Sequence, residues 1–71
     1  MSSFAERLVV ERRRLKWTQR EMADKGKVIE RSQVHYEAGD RIPKVSYLIN
    51  VVKHGVDPYY MITGRRDPYR K

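Results

Sequence analysis

The placing of the helix-breaking residues restricts this chain more than any other feature. Its four glycines fall at 26, 39, 55 and 64, and two of its prolines at 43 and 58. Between these points apolar residues recur at helical rather than alternating spacing. The pattern predicts an all-α fold of five short helices and no strand. No repeat and no low-complexity stretch interrupts it.

Start signals agree with the stops. Ser3 and Glu6 form a capping box for helix one, and Thr18 and Glu21 form another for helix two. Asp57-Pro58 reads as N-cap and first-turn residue of helix five. Phe4, Leu8 and Leu15 share a helical face and are expected in the core, with Arg12, Arg13, Arg14 and Lys16 on the other side. Helix two ends at Gly26, and Lys27 and Val28 complete a tight turn. Helix three runs from about Glu30 to Ala38, helix four carries Val45, Leu48, Val51 and Val52, and helix five covers Pro58 to about Thr63. Residues 1–64 form one domain on this reading, and 65–71 a frayed basic tail.

At 71 residues the chain supports one modest core. It has no cysteine, which removes disulfides and thiolate metal sites and fits an intracellular home. No apolar run reaches the length of a membrane span. Sixteen Lys and Arg against nine Asp and Glu give a net charge of +7, which favours a polyanionic partner. Charge alone leaves nucleic acid, an acidic protein surface and an anionic membrane open. No helix combines a basic with a broad aromatic face, which weakens the membrane option. No catalytic set is seen, so neither an enzyme, a cofactor nor a small-molecule substrate is expected. His54 lacks clustered partners for a metal and is expected to be buried or to cap a helix.

The informative unit is a pair of short helices, two and three, around a three-residue turn. Helix three bears Glu30, Arg31, Ser32, Gln33 and His35, all hydrogen-bonding side chains. Such a face suits base edges in a major groove, which admits one helix; a plain solvated surface has the same composition.

From Phe4 to Gly64 the chain resembles the Xre/Cro family of lambda-repressor-like helix-turn-helix domains. The resemblance rests on Glu6-Arg7-Leu8, Arg12, Thr18-Gln19-Arg20-Glu21-Met22-Ala23, Ser32-Gln33, Tyr36-Glu37, Gly39, Pro43, Tyr47-Leu48, Gly55-Val56-Asp57 and Tyr60-Met61-Ile62-Thr63-Gly64. It implies a compact five-helix DNA-binding domain with helices two and three as the reading unit. It also implies a bacterial, cytoplasmic regulator of phage or prophage type, repressing transcription as a homodimer on a palindromic double-stranded operator. On this resemblance Glu30, Arg31, Ser32 and His35 meet bases or nearby phosphates. Gln19, Arg41 and Lys44 meet phosphates, and Arg12 and Glu37 form a structural ion pair. Three departures stand out: Ile29 occupies an N-cap position, and Lys16 and Lys27 occupy positions usual for glycine.

Four large residues in a row, Tyr59 to Ile62, exceed what a small core can take. Tyr59 and Ile62 are assigned inward, which leaves Tyr60 and Met61 as an expected dimer seam. The rival functions are an antitoxin, a controller protein of a restriction operon, and a protein-interaction module using the same fold.

Overall fold

Three of the five helices begin where a side chain satisfies an orphan amide. The computed structural model describes residues 2–67. The helices are α1 (Phe4–Arg14), α2 (Gln19–Gly26), α3 (Glu30–Ala38), α4 (Val45–Lys53) and α5 (Pro58–Thr63). No strand occurs among the described residues. Both capping boxes form: Ser3 with Glu6, and Thr18 with Glu21, each with the reciprocal pair of bonds. Asp57 accepts from the Tyr60 amide and caps α5, with Pro58 following.

The two departures at glycine positions are visible in the backbone. Lys16 has φ 61° and Lys27 φ 60°, both left-handed, a conformation that strains a residue carrying a β-carbon. Ile29 makes no side-chain cap bond, so α3 starts uncapped but as an α-helix. Pro43 lies just before α4, whose N-cap is Lys44.

Leu8, Met22, Tyr36, Tyr47, Val51, Val56 and Met61 make the buried core, with Phe4, Leu15, Trp17, Leu48 and Tyr60 packed around it. Helix α2 packs on α3 and α4, and α1 packs on α3 and α5. Tyr36 meets Tyr47 edge-on, with ring centroids 5.0 Å apart. Val45 is exposed rather than core-facing, because it is the first residue of α4 and lies beyond the packed stripe.

Helix α5 corrects the expected seam. Met61 is 1% exposed and belongs to the core, whereas Ile62 is 78% exposed and Tyr59 stands out with it. The cause is the rotation of the helix. Its N-cap, Asp57, is buried and its amide donates to Glu11 Oε1 at 2.8 Å. That fixes the face at 57, 60, 61 and 64 inward, and Arg7 Nε then donates to the Met61 carbonyl at 3.0 Å. Tyr60 is half-buried beneath Arg66, whose guanidinium carbon lies 4.0 Å from the ring centre.

The expected frayed tail is also corrected at its start. Arg66 pairs with Glu11 at 2.7 Å and with Asp57 at 3.0 Å. Residues 68–71 of that tail lie outside the described residues. Arg14, expected to be solvated, donates twice to Glu11 and once to the Gly55 carbonyl. Glu11 is fully buried. Burial pushes its carboxyl upward, but the bonds from Arg14, Arg66 and the Asp57 amide outweigh this and hold it at about 2. His54 is exposed rather than buried, and Nδ1 lies 2.9 Å from the Asn50 carbonyl at the end of α4.

Candidate nucleic-acid interface

Helix α3 is locked from behind by a polar network. Gln33, read from the sequence as a surface residue, is fully buried. It donates to Glu37 Oε2 at 2.7 Å and accepts from the Tyr47 hydroxyl. Burial pushes the Tyr47 hydroxyl's pKa well above its usual range, so the hydroxyl stays a donor. Arg12 Nε donates to the same Glu37 oxygen at 2.8 Å, and Arg12 also donates to the Trp17 carbonyl at 3.1 Å. Side-chain exposures of 15% for Arg12 and 6% for Glu37 make this a largely desolvated pair. Three helices and the α1–α2 turn are thereby tied into one network around the Glu37 carboxylate, and a satisfied buried network of this kind specifies a single arrangement.

With that side fixed, the opposite side of α3 is determined. Glu30, Arg31 and Val34 are exposed, and Ser32 and His35 flank them, half-buried. Among the described residues Glu30, Arg31 and Ser32 form no side-chain hydrogen bond or ion pair. His35 Nδ1 lies 3.3 Å from Asp40 Oδ2, which turns that ring toward the end of its own helix. The four residues expected to contact bases thus divide into two that project freely and two at the margins.

Gln19 is placed differently from a free phosphate ligand. Its side-chain amide donates to Glu37 Oε1 at 3.3 Å, which uses one of its two N–H groups. Its backbone amide is in the first turn of α2, where Thr18 satisfies only the Glu21 amide.

Arg41 and Lys44 come together with a residue that sequence reasoning had placed only in a turn. A groove of about 590 Å³ is lined by Lys27, Arg41, Lys44, Tyr36, Tyr47 and Asn50, among others, and no carboxylate lines it. Three cations without a counter-charge make a field that attracts anions. The signal for Lys27 in the sequence was a lysine in the α2–α3 turn, where the resemblance implies glycine.

Among the described residues no group of three or more His, Cys, Asp or Glu could hold a metal ion. No helix among them is long and apolar enough to cross a membrane. No family model matches the chain, and no similar curated protein or solved structure was found.

Proposed function

We propose that the protein binds double-stranded DNA sequence-specifically, with α2 and α3 acting as a helix-turn-helix and α3 entering the major groove. One observation carries this reading. Helix α3 is immobilised by the Arg12–Glu37–Gln33–Tyr47 network, while its outward face holds hydrogen-bonding side chains free of intramolecular partners. A rigid helix with uncommitted donors and acceptors is what direct reading of base edges needs. Glu30 and Arg31 reach the bases, with Ser32 and His35 beside them. Lys27, Arg41 and Lys44 hold the phosphate backbone, and the first amides of α2 with Gln19 hold a second phosphate.

On this reading the protein acts as a transcriptional regulator, repressing by occupying a palindromic operator as a homodimer. The seam is the exposed pair Tyr59 and Ile62, one turn apart on α5. The deciding experiment is selection of bound sequences from a random duplex pool. A palindromic consensus with half-sites centred about 10 base pairs apart is expected. A pool that returns no consensus refutes the proposal.

A further inference from the structure

Val34 stands midway along α3 and is exposed. It follows Glu30 by four positions and Arg31 by three, so all three share one helical face. It is 41% exposed, and so core packing does not explain a branched apolar side chain at that point. Other exposed apolar residues lie elsewhere: Ile29 precedes the helix, and Ile42 and Val45 follow it.

The chemistry of base edges gives this position a meaning. This step rests on the DNA-binding reading above and adds a base to it. In the major groove the base pairs present donors, acceptors and one apolar group, the 5-methyl of thymine. Valine has no donor or acceptor. Set against a polar edge it would strip water and return no hydrogen bond, which is unfavourable. Set against a methyl group it buries apolar surface at no such cost.

We infer that Val34 is a specificity-determining residue that meets the 5-methyl group of a thymine in the bound duplex. Three helical residues rise about 4.5 Å, and base pairs stack about 3.4 Å apart. The thymine therefore stands within about two base pairs of the base met by Arg31.

The test replaces each thymine of the selected operator, one at a time, with uracil. This removes the methyl and leaves pairing and every other groove group in place. The wild-type protein should lose about three- to tenfold in affinity at one thymine of each half-site. Val34→Ala should lose less than about twofold for the same replacement, and Val34→Thr, which keeps one methyl and the branched shape, should fall between. Both variants should melt close to the wild type, since Val34 is outside the core cluster and the residues packed on it. Equal tolerance of uracil at every thymine, or an equal penalty in Val34→Ala, overturns the inference and leaves the DNA-binding reading standing. A protein that selects no sequence overturns both.

Discussion

A β-carbon on Gly26 would stand 2.3 Å from the ring of Tyr47. Helices α2 and α4 therefore approach to a separation that only glycine permits. Tyr47 is held in place, being 2% exposed, edge-on to Tyr36 and bonded to Gln33. Gly26→Ala should destabilise the fold by about 1–3 kcal/mol, although alanine is the better helix former. Denaturant melts decide it: an unchanged midpoint would show that the two helices part without cost.

Glu37→Ala should be more damaging than any exposed charge change. It leaves Arg12 largely buried without its partner and takes one acceptor from Gln33. Breaking a buried pair in this way costs about 3–5 kcal/mol. Arg13→Ala, at an exposed site on α1, is the control and should shift the midpoint little. Similar losses in the two variants would show that the network does not hold α3.

Stability should fall in acid, and Glu11 should account for a large part of the fall. Its folded pKa of about 2 lies below the ordinary 4.5. The stabilisation is therefore complete above about pH 4.5 and is lost as pH drops toward 2, to a total of about 3 kcal/mol. Glu6 and Glu21, whose capping bonds also lower their pKa values, act in the same direction. Unfolding free energies of wild type and Glu11→Gln measured across this range should differ in slope. Parallel curves would mean the carboxylate is not held by Arg14 and Arg66.

Arg31→Ala and Lys44→Ala should fail in different ways. On the DNA-binding proposal, loss of the Arg31 guanidinium should cost about 1–3 kcal/mol on the operator and little on random duplex. Loss of the groove lysine should weaken both alike and flatten the salt dependence. For the proposed dimer on DNA the log–log salt slope is expected to be roughly −4 to −7. Equal losses on operator and random duplex for both variants would remove α3 from the groove.

Two substitutions on α5 separate assembly from folding. Ile62→Asp should leave the melting point near that of the wild type and reduce the two-protomer complex on the operator. Tyr60→Ala should lower the melting point, because that ring packs on the core under Arg66. Sedimentation of each variant with and without operator reads the first effect. An Ile62→Asp protein that still loads two protomers with wild-type affinity would move the seam elsewhere.

The starts of α1 and α2 were legible in the sequence because capping is local: Ser3 with Glu6 and Thr18 with Glu21 are three residues apart. Gln33 and Glu11 were not legible as buried residues. Each has a partner on its own helix, Glu37 for Gln33 and Arg14 for Glu11, but that pairing suits a surface position equally well; what buries them comes from other elements, Tyr47 for one and Asp57 and Arg66 for the other. The face of α5 escaped for a different reason. Six residues with four large ones in succession carry no usable periodicity, and the rotation was set by Asp57 docking on Glu11. The outward face of α3 was legible as polar, but Val34, midway along the helix, acquires significance only once Gln33 is known to point inward.

Lys27 holds a left-handed backbone position that glycine fills without strain, and its charge lines the cationic groove. Two demands therefore compete at one residue. A library screened for heat resistance alone should enrich glycine or asparagine there, gaining up to about 1 kcal/mol from relieved strain. If the groove holds DNA as proposed, the same library screened for operator occupancy should return lysine or arginine, and the two winners would mark how much stability the charge at this position costs.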